Sequence, residues 1–462
     1  MQITYTLTDK GLFFQYNVPM FLGQITGKLS DKLSAIAEDK AARRYARDIP
    51  AEALSNCTLI LDCVCNETSL AFAFDTQDWM QHIVFTNKFN TSKVNSMMRM
   101  FNCCFNLKSI VMPSDSFITS NVLDMSEMFR MCKSLEMLTL DFDTSNVKRI
   151  FGMFNGCMKL STLNMKFNTS NVTVLSHMFD GCISLKTLDL SSFDTSNVEM
   201  FDSMFRECES LTSLDLSNFN TKNSEDMSYM FSNCSSLASL TIPFDTRNVK
   251  MMPDMFSKCT SLKSLDLSTF DTSKCESMSG MFFSCNALAH IDFHFDTSNV
   301  VNMMCMFREC ESLTSLDLSN FDTHNVKNAG YMFCCCKALA SLVVPFNTTS
   351  MTMMNTMFYK CSSLRTLDLS TFDTYKVYDM SDMFAYCTSL ESVDMRNFYT
   401  SEVAVLQAMF FKCSSLKHIL ASDKFQITLN SASMFYGTSS ELDLSGFDFT
   451  HLTSKAIRRL FE

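Results

Sequence analysis

Fourteen regularly spaced Met-Phe pairs punctuate this chain, with the phenylalanine at positions 101, 129, 154, 179, 205, 231, 256, 282, 307, 333, 358, 384, 410 and 435. After a first interval of 28 residues, every spacing is 25 or 26. Three residues beyond the phenylalanine stands a cysteine in each unit but the last, which has Thr438; a leucine follows each cysteine three residues later, from Leu107 to Leu416. The stretch MFRECESLTSLDLSNF occurs unchanged at 204–219 and 306–321, a separation of 102 residues, or four periods. A unit this short cannot bury its apolar face alone, so such a period implies stacked units sharing one core.

Within a unit the apolar pattern changes character. Leu211, Leu214, Leu216 and Phe219 follow L-x-x-L-x-L-x-x-F, whose central alternation is that of a short, half-buried strand. Val198, Phe201, Met204, Phe205 and Cys208 recur every three or four residues, the spacing of one face of a helix. Thr195, Ser196 and Asn197 precede that run, as residues that accept hydrogen bonds from a helix start do. The expected fold is an α/β repeat solenoid, a leucine-rich-repeat-like stack of about 14 turns of 25–26 residues, each with one parallel strand and one short helix. Longer units read LDLSNF or LDLSTF where shorter ones read LTIPF or LVVPF, so long and short turns should differ at one corner.

The chain is 47% hydrophobic and 19% charged over 462 residues, which excludes intrinsic disorder. Its net charge of -11 and lack of a basic patch argue against nucleic acid as a partner. No apolar run reaches the length of a transmembrane segment, and the opening MQITYTLTDK lacks the basic-then-apolar order of a secretory signal. Seven scattered histidines, with no H-E-x-x-H, nucleophile elbow or phosphate-binding glycine loop, speak against an enzyme, and no cofactor is implied.

The composite CxSLxSLDLSxFDTSNVxxMxxMF resembles the repeat of BspA-like leucine-rich-repeat proteins over about residues 86–450. FDTSNV is intact at 142–147, 193–198 and 295–300, with FNTSNV at 167–172 and FDTRNV at 244–249. The resemblance implies a right-handed solenoid, display at a bacterial cell surface or secretion, and adhesion or protein binding rather than catalysis. A reduced thiol core fits cytoplasmic synthesis or a particle-bound protein instead.

Three columns need assignment. Cys132, Cys157, Cys182, Cys208, Cys234, Cys259, Cys285, Cys310, Cys336, Cys361, Cys387 and Cys413 would stack with parallel side chains, whereas a disulfide needs Cβ vectors turned toward each other. Buried thiols packing as small hydrophobes and donating weakly to carbonyls is the reading adopted. Cys334–Cys336 and the group Cys57, Cys63 and Cys65 lack paired metal-ligand spacing, so no metal site is assigned. A threonine column that includes Thr195, Thr221 and Thr246 reads as hydrogen-bonded corners, with an ice-binding array as an alternative. The DTS string lacks the glycine of an aspartic-protease loop.

The binding candidates lie between the inward residues of each strand. Asp189, Asp215, Asp266, Asp292, Asp317, Asp368 and Asp394, flanked by Ser213, Ser264 and Ser315, should face solvent. They read either as a solubilising face or as an extended surface for a protein or glycan ligand. Residues 1–85 form an N-terminal α+β cap or docking domain, with a hairpin in ITYTLTDKGLFFQYNV, a helix ending before Pro50, and strands in TLILDCVC and SLAFAF; residues 86–440 are the solenoid and 441–462 a C-terminal cap. If residues 1–85 dock to a partner, the chain would be a spacer of a larger assembly such as a virion or surface layer. Oligomeric state is not legible.

Overall fold

The computed structural model describes residues 3–15, 19–23, 32, 36, 56–400, 405–428, 430–447, 449–450 and 452–462. It is a solenoid of about 14 turns with stacked parallel strands, divided into two compact units, Met1–Asn223 and Ser224–Glu462.

The first unit holds β1 (Ile3–Thr8), β2 (Gly11–Gln15), β3 (Pro19–Gly23), β4 (Cys57–Asp62), β5 (His82–Phe85), β6 (Ser109–Val111), β7 (Met137–Leu140), β8 (Thr162–Met165) and β9 (Ser213–Asp215). Strands β1 and β2 form the expected antiparallel hairpin, and β1 then pairs in parallel with β4, continuing through β5 to β6. The SLAFAF stretch is not a strand. Phe72, Phe74 and Thr76 donate their amides to the carbonyls of Met98, Met100 and Asn102, in the geometry that the later Met-Phe segments repeat. The helix expected before Pro50 lies outside the described residues, apart from Lys32 and Ile36, which are helical.

The second unit contains β10 (Ser239–Thr241), β11 (Ser264–Leu267), β12 (His290–Phe293), β13 (Ser315–Asp317), β14 (Ser341–Val343), β15 (Thr366–Asp368), β16 (Ser392–Met395), β17 (His418–Ala421) and the helix α1 (Ser454–Arg459). Strand registers place equivalent residues side by side, Leu265 on Ile291, Leu316 on Leu342 and Leu367 on Val393. A second column of single bridges runs Met251, Ser277, Asn302, Asn328, Met353, Asp379, Val405. Thr453 caps α1 by accepting the Ala456 amide, and the amides of Ser433 and Phe435 end on the carbonyls of Arg459 and Leu460.

The short helix expected in every turn is absent among the described residues. The Met-Phe segment is instead a pair of tight turns whose amides alternate in direction. Asp254, Phe256 and Lys258 donate to Ser279, Met281 and Phe283 of the next turn at 2.8, 3.0 and 2.6 Å, while Ser257 and Cys259 donate back to Asp254 and Phe256 at 3.1 and 3.2 Å. Alternation requires left-handed backbone at two positions per turn, four residues apart: φ is 52° at Asp254 and 59° at Lys258. Such a residue costs about 1–2 kcal/mol unless it is glycine. Spacing alone suggested a helix because three-residue and four-residue recurrence is shared by both arrangements; the stack wins because neighbouring turns supply acceptors that an isolated segment lacks.

Between these turns and the strands lies a core of Phe, Met and Leu. The Met-Phe rings stack directly, with centroids 5.7 Å apart for Phe129 on Phe154 and Phe154 on Phe179, and 5.6 Å for Phe333 on Phe358. A second ring column runs Phe346, Phe372, Phe398 at 6.1 and 6.2 Å.

Two opposite substitutions test the left-handed positions. Gly181 has φ of +73°, and an added Cβ would lie 3.3 Å from the Gly156 Cα, so Gly181→Ala should cost about 1–2 kcal/mol. Lys258 has an exposed side chain, and Lys258→Gly should gain about 1 kcal/mol. Chemical-unfolding midpoints of the two variants should move in opposite directions.

Candidate functional site

The recurring motif FDTSNV is a set of corner bonds. At 295–300 the Asp296 carboxylate accepts the Ser298 amide at 2.9 Å, Thr297 Oγ1 donates to the Asp322 carbonyl at 2.8 Å, and Asn299 Nδ2 donates to the Ser273 carbonyl at 2.7 Å. Asp296 closes a local turn, while Thr297 bonds forward and Asn299 backward along the stack, rather than capping helices. Thr195 donates to the Asn220 carbonyl at 3.1 Å and Thr246 to that of Asp271 at 2.8 Å. Thr195, Thr221 and Thr246 are at most 1% exposed, which overturns the ice-binding alternative: hydroxyls buried against backbone present no array to water.

The cysteine column is equally internal. Cys132, Cys157, Cys182 and Cys208 donate Sγ–H to the carbonyls of Phe101, Phe129, Phe154 and Phe179 at 3.1–3.3 Å. In the second unit Cys259, Cys285, Cys310, Cys336, Cys361, Cys387 and Cys413 do the same to Phe231, Phe256, Phe282, Phe307, Phe333, Phe358 and Phe384 at 3.0–3.2 Å. Cys234 is also fully buried. All are free thiols, and burial raises the pKa of Cys132, Cys157, Cys182, Cys259, Cys310, Cys361 and Cys413, and that of Cys285 to about 12. Thiols so raised remain protonated donors at neutral pH.

The strand face presents the aspartate column, with every member on a strand except Asp189, whose turn lacks the expected strand. Asp189, Asp215, Asp266, Asp292, Asp317 and Asp368 are exposed and Asp394 is half-buried; Ser213, Ser264 and Ser315 are exposed. In the first unit Asp189, Ser213 and Asp215 line one shallow cleft of about 400 Å³ with Ser191, Ser217 and Asn218. In the second unit Asp266 lies beside Asp292 and Asp368 beside Asp394 in strand register, while Asp317 is opposite Val343.

Most of these carboxylates have a local task that the sequence reading did not assign. Asp189, Asp215, Asp266, Asp317 and Asp368 each accept, through Oδ1, the amide of the serine two residues on, at 2.9–3.0 Å. Asp394 accepts the Arg396 amide at 3.2 Å and its guanidinium at 2.7 Å. This turn accommodates the extra residue of the 26-residue units. Phe270 there donates to the carbonyl three residues back, whereas Phe244 of a 25-residue unit reaches two residues back. Asp292 belongs to a 25-residue unit. The Ser191 and Ser319 amides hold the carboxyls of Asp189 and Asp317 below the usual range, the Ser268 hydroxyl chiefly does so for Asp266, and Arg396 for Asp394.

On the turn side of the second unit stands a group that repeat-based reading passes over. Tyr359, Tyr386, Phe411 and Tyr436 follow one another at ring distances of 5.5, 5.4 and 5.1 Å. Lys360 lies 5.1 Å from the Tyr359 ring centre and 5.4 Å from that of Tyr386, and Lys412 lies 5.3 Å from Tyr386 and 5.5 Å from Phe411. Their positions, one or two residues after the Met-Phe pair, vary between turns; that departure from the repeat is the signal that could have marked them. Among the described residues no cluster of three or more His, Cys, Asp or Glu side chains is arranged to hold a metal ion, and no helix is long and apolar enough to cross a membrane.

Thr297→Val should lower stability by about 1 kcal/mol, because an isosteric side chain removes the donor to the Asp322 carbonyl. Equilibrium unfolding of the variant checks this; an unchanged midpoint would mean that the corner bond contributes nothing.

A family model described as "Mycoplasma protein of unknown function, DUF285" matches residues 68–165, 161–265, 254–363 and 335–447. No curated protein matches this chain. Among solved structures, a leucine-rich repeat protein from Eubacterium ventriosum is 13% identical, with 86% of this chain and 91% of that one covered and a TM-score of 0.36. A leucine-rich cell surface protein from Faecalibacterium prausnitzii is 17% identical, with 79% of each chain covered and a TM-score of 0.32. The T. pallidum leucine-rich repeat protein is 16% identical, covering 44% of this chain and 77% of its own, with a TM-score of 0.25.

Proposed function

This chain belongs to the DUF285 family, and from that premise we propose that it is a non-enzymatic binding protein whose strand face engages a protein or glycan. One observation carries the reading. The cysteine, threonine and phenylalanine columns are turned inward, and the exposed Asp296 and Asn299 of the FDTSNV corner lie off the strands, so the repeated polar side chains that lie side by side on neighbouring strands are the aspartate rows. In the second unit those rows place Asp266 beside Asp292 and Asp368 beside Asp394. Like charges in adjacent register repel. Arg396 already pairs with Asp394, so the unrelieved pair is Asp266 and Asp292; a ligand that brings ammonium or guanidinium groups relieves that repulsion, and a basic protein surface is the favoured partner class, with glycan hydroxyls meeting Ser264 and Ser315 as the alternative.

Adhesion at a cell surface is the role that the resemblance to BspA-like proteins adds to this reading. Residues 1–85 and 441–462 serve as caps in it. The β1–β4 pairing covers one end of the strand stack, and the carbonyls of Arg459 and Leu460 receive the amides of the last turn.

Asparagine separates charge from turn geometry, since its side-chain oxygen still accepts the serine amide. The triple variant Asp266→Asn, Asp317→Asn, Asp368→Asn should keep the parent unfolding midpoint. Against immobilised basic proteins and extracellular-matrix glycoproteins, the parent should show salt-sensitive binding that falls about tenfold in the variant. Undiminished binding by the variant would remove the strand face from consideration, and a parent that binds none of these probes would count against the function.

A further inference from the structure

Cys334 and Cys335 stand apart from the cysteine column. They occupy the two positions after the Met-Phe pair of their turn, where other units carry Arg308 and Glu309 or Tyr359 and Lys360. Their sulfurs are 3.6 Å apart, with the Cys334 thiol directed as donor to the Cys335 sulfur. Cys334 is 4% exposed, whereas Cys335 is half-buried and reaches solvent. Five further ionisable groups act on the pair: Glu309, Lys360 and Lys337 on Cys335, and Arg308 and the buried thiol of Cys361 on Cys334. Lys337 also pairs with Glu311 at 2.7 Å.

We propose that Cys335 is a site of reversible S-thiolation by anionic low-molecular-weight disulfides, with Cys334 as a positioning residue that donates its S–H to the attacking sulfur. The Cys335 thiolate attacks one sulfur of the disulfide; the new sulfur–sulfur bond forms as the old one breaks, and the bonding pair leaves with the departing thiolate, which takes a proton from water. The disulfide is the oxidant, so no other co-reactant is required.

Reactivity follows from stabilising the thiolate. The Cys334 donor lowers the Cys335 pKa most, and Lys360 and Lys337 add to it against burial and the Glu309 carboxylate. The half-buried Cys305, by contrast, is raised by burial. The backbone of the pair is fixed on both sides: the Cys335 amide donates to the Tyr359 carbonyl at 2.7 Å, and the Cys334 carbonyl accepts the Glu309 amide at 2.7 Å. Closing a ring between the adjacent sulfurs would disturb those bonds, so the two thiols act as donor and nucleophile. Lys360 also holds the rings of Tyr359 and Tyr386, and an adduct on Cys335 would enter that aromatic stretch.

The test treats the intact chain with glutathione disulfide, which is anionic, or with cystamine, which is cationic, across pH 6–9, followed by acid quench, tryptic digestion and mass spectrometry. The peptide spanning 328–337 carries Cys334, Cys335 and Cys336 alone. At neutral pH, glutathione should appear on Cys335 about tenfold faster than on any other cysteine, and faster than cystamine does. Cys334→Ala should move the pH inflection of that rate upward, and Cys334→Ser should restore it because a hydroxyl also donates. The proposal is overturned by equal labelling of Cys103 or Cys305, or by an inflection that Cys334→Ala leaves in place. Should that variant fail to fold, the parent still decides: equal rates with both disulfides contradict the assignment.

Discussion

Everything in this structure depends on backbone amides that alternate between neighbouring turns. Where a helix would send each N–H four residues back along its own segment, Asp254, Phe256 and Lys258 send theirs to the next turn, and only the amides between close bonds within it. This makes each turn incomplete without its neighbour and fixes equivalent residues one above the other. The cost is left-handed backbone at residues as bulky as Arg99, Glu127 and Tyr331. Only cooperation along the stack offsets it.

Fixing the turns in register explains the unusual side-chain chemistry. The Phe256 carbonyl already accepts the Cys259 amide at 3.2 Å, and its second lone pair lies where the Cys285 thiol of the next turn can reach it at 3.1 Å. A thiol suits that place because it is small and costs less to strip of water than a hydroxyl while still donating weakly. Thr297 works under the opposite balance: its corner carbonyl is held by a hydroxyl, a stronger donor, at the edge of the apolar core. With the recurring thiols and hydroxyls committed, the side chains left for the proposed binding and thiol chemistry are those of the strand face and of positions where turns depart from the repeat, such as Cys335.

The solenoid was legible because Met, Phe, Cys and Leu recur with few interruptions, and burial explains each of them. The turn geometry was hidden. Left-handed backbone is ordinarily announced by glycine, yet Lys258, Glu309 and Lys412 adopt it here, because inter-turn acceptors that no local pattern reveals hold them there. The exposed aspartates were located from alternation along the strands, but their bond to the serine two residues on was overlooked. Its trace was present, since Asp266, Asp317 and Asp368 precede such a serine in 26-residue units and Asp292, in a 25-residue unit, does not. The aromatic and lysine side chains at 359–436 escaped because a reading built on what repeats discards what varies.

The alternating ladder is tested most directly by residue-resolved amide hydrogen exchange at Lys258, Lys360 and Lys412. Their amides donate to the carbonyls of Phe283, Ala385 and Tyr436 at 2.6, 2.9 and 2.7 Å, although the Lys258 and Lys412 side chains are exposed and that of Lys360 is half-buried. The ladder predicts that these amides exchange only as slowly as the stack itself opens. Exchange at the rate of a solvated surface loop would contradict it, and with it the account of why the turns stack.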